Sequence, residues 1–210
     1  MKERPILFSG PMVRAILDGR KTQTRRVLKP QPFPVGGPFY RPSPMVAPRE
    51  WHSVSKGGNI VNIQKLPYAE GTELWVREAF ADTVGMGFDK RYHYAADVKP
   101  DSESDQIRKD YGVKWKPSIH MPRAASRITL RVTAVKVERL QDISDEDALA
   151  EGVAVAVNPI AGQDIDIDGN YWPGGPKRMY SDLWNSINGP GSWDRNDWVA
   201  AYSFERVLPK

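Results

Sequence analysis

The chain reads as an α+β protein with a largely antiparallel sheet or small barrel, and three features of the sequence predict it. Ile128, Leu130, Val132 and Ala134 alternate with polar or charged neighbours between Arg127 and Leu140, the period-2 mark of a half-buried strand. Trp198 to Val207 alternates in the same way near the end of the chain. Between them, Met179, Tyr180, Leu183, Trp184 and Ile187 recur at helical spacing from Lys177 to Asn188, and Asn188-Gly189-Pro190 ends the helix. No segment repeats with a period of about 20–50 residues, which excludes solenoids and propellers.

In chain order, the first element is a short helix from Pro11 to Asp18. Proline suits a first helical turn, Met12, Val13, Ala15, Ile16 and Leu17 form an apolar stripe, and Gly19 supplies a left-handed stop. Lys21 therefore leaves a fixed helix end. Residues 28–70 are rich in proline and glycine, with Phe33, Phe39, Tyr40, Trp51 and Tyr68 among them. This composition predicts an irregular insertion packed over the core, with a hairpin around Gly57-Gly58. Gly71-Thr72-Glu73 then enters a strand with Leu74 and Val76 on one face and Trp75 and Arg77 on the other.

A second insertion covers about 97–117, and its acidic, polar part from Asp97 to Asp110 reads as a mobile loop. After the Arg127–Leu140 strand, the cap residue Ser144, the acidic turn Asp145-Glu146-Asp147 and the stop at Gly152 define a helix whose end carries Glu151. The rest forms a C-terminal extension, so that residues 1–210 are read as one decorated domain.

Composition limits the function classes. With 40% hydrophobic and 27% charged residues the balance is that of a soluble globular protein. No run approaches the roughly 18 apolar residues of a membrane span, and Met1-Lys2-Glu3-Arg4-Pro5 lacks the apolar core of a signal peptide, so cytoplasmic residence without a membrane partner is expected. The absence of cysteine excludes disulfides, thiol catalysis, iron–sulfur clusters and cysteine-based zinc sites. The net charge of +4 is mild, but its distribution is uneven. Arg14, Arg20, Lys21, Arg25, Arg26 and Lys29 stand against the single acid Asp18, and Lys114, Lys116, Arg123, Arg127 and Arg131 form a second basic run. Each run is either a solvated face or a groove for a phosphate, a nucleotide or an RNA strand.

Cofactor sites find no support in the motifs. Asp164-Ile165-Asp166-Ile167-Asp168-Gly169 begins like a calcium loop, but the position that should close the site with a glutamate is Gly175. His52, His93 and His120 are scattered without metal-ligand spacing, and no glycine-rich phosphate loop is present, so neither a metal nor another cofactor is expected. Among the tryptophans, Trp75 is a candidate to stack a base, while Trp184 and Trp198 fit the core.

Lys21 and Thr24 are the candidate chemistry. A threonine hydroxyl becomes a useful nucleophile when a neighbouring base takes its proton, and a neutral lysine can be that base. An offset of three on a flat strand puts the two side chains on opposite faces, so their cooperation requires a turn or twist between them.

Gly19-x-Lys21-x-x-x-x-Arg26 resembles the signature of the ASCH family, whose members have a PUA-like β-barrel fold related to RNA-binding domains. The stretch from Ala15 to Thr24 and the segment Gly71-Thr72-Glu73-Leu74-Trp75-Val76 are similar to family members that hydrolyse N4-acetylcytidine. The Ile128–Leu140 strand and the helix ending at Glu151 fall in the same order. The resemblance implies an amidohydrolase that gives cytidine and a carboxylate, with Lys21, Thr24 and Glu151 as catalytic residues and Glu146 or a neighbouring acid as the alternative to Glu151. Arg20, Arg26 and Trp75 are then the expected contacts to a small nucleoside substrate. The insertions, with Leu74-Trp75-Val76-Arg77-Glu78 and Pro117-Ser118-Ile119-His120-Met121-Pro122, also resemble longer phage and prophage members of the family. There the competing expectation is an RNA-binding or ribonuclease module.

Overall fold

The computed structural model describes residues 3–29, 31, 40–42, 50–54, 60–84, 91–153, 156–157, 164–165 and 174–207. In chain order these form β1 (Arg4–Leu7), α1 (Gly10–Leu17), β2 (Gln23–Val27), β3 (Tyr40–Pro42), β4 (Glu50–Val54), β5 (Ile60–Lys65), β6 (Glu73–Arg77), β7 (Phe80–Asp82) and β8 (Tyr92–Tyr94). They continue with α2 (Glu103–Asp110), β9 (Thr129–Arg139), α3 (Asp145–Ala150), β10 (Ala156–Val157), β11 (Asp164–Ile165), α4 (Gly175–Asn188) and β12 (Trp198–Val207).

The fold is α+β, with a mixed five-stranded sheet in the order β1-β6-β9-β12-β2. β1 runs parallel to β6, whereas β6 with β9 and β12 with β2 are antiparallel. A barrel closes only when its first and last strands pair. Among the described residues β1 and β2 do not, so the strands form an open sheet in place of the expected barrel. No helix among the described residues is long and apolar enough to cross a membrane.

By its internal contacts the chain divides into two compact units. The first comprises Met1–Gly19, Thr72–Arg131 and Glu205–Lys210. Here α1 starts with proline in its first turn, buries Val13, Ala15 and Ile16, and ends at Gly19, whose φ of +76° is the left-handed stop the sequence calls for. β6 buries Leu74 and Val76 and leaves Trp75 and Arg77 half-buried, as its alternation predicts. The acidic stretch after Asp97 differs from expectation. It contains α2, capped by Ser102, whose Oγ accepts from the Asp105 N–H at 3.3 Å. Glu103 and Asp105 in its first turn and Arg108 and Lys109 in its last suit the helix dipole, so the acids that suggested a solvated loop belong to a helix start.

The second unit comprises Arg20–Gly71 and Val132–Phe204. Its core packs Leu140, Ile143, Ala148 and Val153 against Tyr180 and Trp184 of α4 and Val199 of β12. Ile187, expected on the same stripe, is half in solvent at the end of α4. Antiparallel β4 and β5 place Val54 opposite Ile60. The expected turn at Gly57-Gly58 between them lies outside the described residues, as does the calcium-like run beyond Ile165. On β9 the inward alternation reaches Val132, then lapses at exposed Ala134, and the next buried position is a glutamate, Glu138.

Candidate functional site

The last carbonyls of a helix have no partners within it. α3 is six residues long, and its end is closed from outside by the segment that precedes β2. Thr22 N–H donates to Ala150 O at 2.8 Å, Lys21 Nζ to Glu151 O at 2.7 Å and Arg20 Nη1 to Gly152 O at 3.3 Å. Residues 20–22 thus satisfy carbonyls 150–152 in reverse order. Arg20 is an exposed helix-closing residue here, a structural task that the sequence alone does not reveal.

Lys21 is 2% exposed. Its Nζ donates to Gln23 O at 2.8 Å, Glu151 O at 2.7 Å and Glu151 Oε2 at 2.7 Å, and three acceptors match the three N–H bonds of an ammonium. Burial pushes the lysine down from its ordinary value. The Glu151 carboxylate opposes that push, and Arg26 and Arg25 add to it. Glu146, the alternative acid, is exposed, and its carboxyl is held low by its own backbone N–H and by Ser144. The partner of Lys21 is Glu151.

A second cation lies beside this pair. Arg25 donates through Nε and Nη2 to Glu138 Oε1 at 2.9 and 2.7 Å, through Nη2 to Asp147 Oδ2 at 2.8 Å, and through Nη1 to Glu151 Oε1 at 3.2 Å. Tyr180 OH donates to the same Glu151 oxygen at 3.4 Å, and Gln23 bridges Arg25 and Asp147. Lys136 Nζ lies 2.6 Å from Glu138 Oε2. Burial disfavours the Arg25 charge, but Glu151 and Glu138 more than offset it, so its guanidinium is held above its ordinary value. Sequence reasoning placed Arg25 in the basic run but missed Glu138, Asp147, Gln23 and Tyr180. One signal was available: Glu138 falls in phase with Ile128, Leu130 and Val132, so a charge occupies an inward strand position.

Thr24 is 3% exposed and stands opposite Tyr202 in the β2–β12 ladder. In a regular antiparallel pair, a residue's N–H and C=O bond to the same neighbour. Thr22 departs from this: its N–H goes to Ala150, whereas its C=O accepts from Phe204 N–H at 2.8 Å. The β2–β12 ladder therefore ends at Thr22, where the chain passes from the end of α3 to the strand. Lys21 Nζ ends against the carbonyl of Gln23, the peptide group that leads into Thr24. By strand alternation Thr24 and Arg26 share the face that carries Ala200 and Tyr202, and Gln23 and Arg25 take the other.

A cavity of about 190 Å³ is lined by Arg26, Lys29, Pro67, Ala200 and Tyr202. The Tyr68 ring meets Tyr202 edge-on with centroids 5.2 Å apart. The cavity is smaller than the roughly 300–1,000 Å³ of most ligand pockets.

The expected basic faces resolve differently. Lys21 and Arg25 are buried, which overturns a solvated face at those positions. In the second run Arg123 pairs with Glu3, Arg127 with Glu78 and Asp97, and Arg131 with Glu73 and Glu205, so these arginines meet carboxylates of the same chain. Trp75 belongs to the first unit, where Arg77 lies 5.2 Å over its ring. Among the described residues, no three His, Asp or Glu side chains are grouped to hold a metal ion. Comparison of the chain with protein-family models, with curated proteins and with solved structures finds no match.

Proposed function

We propose that this protein is an amidohydrolase that removes the acyl group from N4-acylated cytosine compounds such as N4-acetylcytidine, and that its sheet is the core of a PUA-like ASCH domain. The observation that carries the reading is the buried Lys21–Glu151 pair, 2.7 Å apart, with the lysine held against the peptide group before Thr24. In a low-dielectric interior an ion pair and its neutral tautomer come close in free energy, because burial penalises both charges. Transfer of one proton from Nζ to Oε2 leaves a neutral amine and a carboxylic acid. The pair then holds a base and an acid at once.

The amine takes the Thr24 hydroxyl proton as Oγ adds to the acyl carbonyl. The tetrahedral oxyanion collapses, the Glu151 acid gives its proton to N4, and the carbon–nitrogen bond breaks. Cytidine leaves, Lys21 is again an ammonium and Glu151 a carboxylate. Water then adds to the acyl-threonine ester and passes a proton to Glu151, and Thr24 Oγ leaves with a proton from the pair, giving the free carboxylic acid, which ionises to the carboxylate by releasing its proton to solvent. The cavity lined by Arg26, Lys29, Pro67, Ala200 and Tyr202 is the candidate site for the pyrimidine.

The test is incubation with N4-acetylcytidine beside a Lys21→Ala variant, followed by ultraviolet absorbance. Conversion by the unaltered protein alone is expected. No conversion of any N4-acylated cytosine by the folded protein would transfer the assignment to a second reading, an RNA-binding module, which the presence of Arg26 and Lys29 in one cavity favours. That reading requires an affinity for single-stranded RNA that falls steeply with salt.

A further inference from the structure

Glu151 has two carboxylate oxygens with different surroundings. Oε2 faces Lys21 at 2.7 Å, whereas Oε1 receives Arg25 Nη1 at 3.2 Å and the Tyr180 hydroxyl at 3.4 Å. Arg25 is in turn held by Glu138 through two hydrogen bonds to a single oxygen, and Glu138 ends on Lys136. The groups run as a line of alternating charge: Lys136, Glu138, Arg25, Glu151, Lys21. The side chains of the middle three and of Lys21 are at most 4% exposed, whereas Lys136 is 64% exposed and screened by solvent. Charges packed this way act on one another far more strongly than they would at a surface.

We infer that the Glu138–Arg25 pair sets the charge state of the Lys21–Glu151 pair, with Arg25 favouring loss of the shared proton and Glu138 opposing it. Neither residue meets substrate; both act through Glu151 and are positioning residues. The inference rests on the reading of Lys21 and Glu151 as an acid–base pair.

The groups facing that pair are Arg25 and Arg26 from β2, Asp147 from α3, Glu138 from β9 and Tyr180 from α4. Burial drives Tyr180 well above the ordinary tyrosine value, and Glu151 adds to this, so it remains a neutral donor and does not titrate with the pair. Arg25 works in the same direction as burial in lowering the proton affinity of Lys21.

The two substitutions differ in sign. Arg25→Gln removes a positive charge and leaves Glu138 and Asp147 without it, so Lys21 keeps its proton to higher pH. Glu138→Gln keeps Arg25 and removes a negative charge, so Lys21 gives up its proton at lower pH. Arg25→Lys preserves the charge and leaves the titration near its original position. A simple packing defect would lower the melting temperature in both variants and would not move two titrations in opposite directions.

The experiment follows the ¹³Cε and ¹⁵Nζ resonances of labelled lysine in the full chain against pH, with Lys21 assigned by loss of its signal in Lys21→Arg. Opposite shifts in Arg25→Gln and Glu138→Gln, with Arg25→Lys unmoved, are expected. Midpoints that stay in place, or move the same way in both, overturn the inference. If Arg25→Gln does not fold, Glu138→Gln decides alone, and a midpoint that stays or rises overturns it. Hydrolysis of N4-acetylcytidine is measured on the same samples. Opposite shifts without hydrolysis at any pH support the charge linkage and refute the amidohydrolase. Hydrolysis with unmoved midpoints does the reverse.

Discussion

Two buried glutamates, one in each unit, are held by arginine in different ways. Glu78, 1% exposed, receives Arg127 Nε on one oxygen at 2.9 Å and Nη2 on the other at 3.0 Å. The same guanidinium grips Asp97 at 2.7 and 2.8 Å and lies 3.9 Å over the Tyr94 ring. Burial still pushes the Glu78 carboxyl above its ordinary value, although Arg127 opposes that push. Both of its oxygens face N–H groups that do not give up a proton in the working pH range. Glu151 offers one oxygen to an arginine and the other to a lysine. Buried charge alone therefore does not mark a reactive site. What separates the two is a partner whose own protonation can change.

That contrast can be tested by its consequences, beginning with the largest. Thr24→Ala and Lys21→Ala should each abolish hydrolysis of N4-acetylcytidine. Thr24→Ala should also retain ligand binding by calorimetry, and measurable turnover in that variant would remove the nucleophile assignment. Glu151→Gln should lower kcat by about 10²–10⁴-fold, the usual scale of general acid–base catalysis. It should also cost about 3–5 kcal/mol in urea unfolding, because two buried cations lose a charged partner.

Glu78→Gln is the control on the other side of the comparison. It should destabilise the fold by about 1–3 kcal/mol, the scale for weakening a buried hydrogen-bonded charge, and leave kcat per folded molecule unchanged. A tenfold fall in kcat at temperatures where the variant is folded would erase the distinction between the two glutamates.

The smallest effect belongs to Asp105 in α2. Hydrogen bonds from Lys109 and Arg108 hold its carboxyl down to about 2, below the ordinary aspartate value of 3.8. The unfolded chain binds this proton more readily, so the contribution is present above about 4 and fades as pH falls toward about 2. Asp105→Asn should flatten the acid side of a stability profile measured by thermal unfolding between pH 2 and 5.

Much of the scaffold was legible in the sequence because local signals agreed with tertiary demand. The Gly19 stop, the Ser144 cap and Gly152 stop around α3, and the β12 span all follow from short-range rules, although β12 buries Val199, Ala200, Ala201 and Tyr202 in succession where alternation is expected. β1 was missed: Arg4 to Leu7 is a four-residue parallel strand defined by pairing with β6, and nothing within it announces that partner. The acidic part of the second insertion was misjudged because composition outweighed the Ser102 cap and the acid-first, base-last order of a helix. The open sheet in place of a barrel depends on which strands meet, and residue patterns within strands do not encode that directly.

At the site, Lys21 and Thr24 stood out through their motif, whereas Arg25 looked like one more basic residue. Its burial depends on Glu138, Asp147 and Glu151, which lie 113, 122 and 126 residues away. The long separation explains why a solvated face and a buried cluster read alike at the start of the chain.

The closing of α3 by residues 20–22 also bears on the order in which the protein is built. Lys21 and Glu151 are 130 residues apart, and bringing the ends of so long a loop together costs about 4 kcal/mol of chain entropy before their contacts offset it. A helix of six residues is too short to persist alone in water. During synthesis β2 leaves the ribosome with its future partners still unmade, and Lys21 and Arg25 remain solvated cations until α3 emerges and docks. Desolvation of the cluster is thus a late folding event, and any base strength that Lys21 gains from burial is withheld from the nascent chain until its second unit has formed.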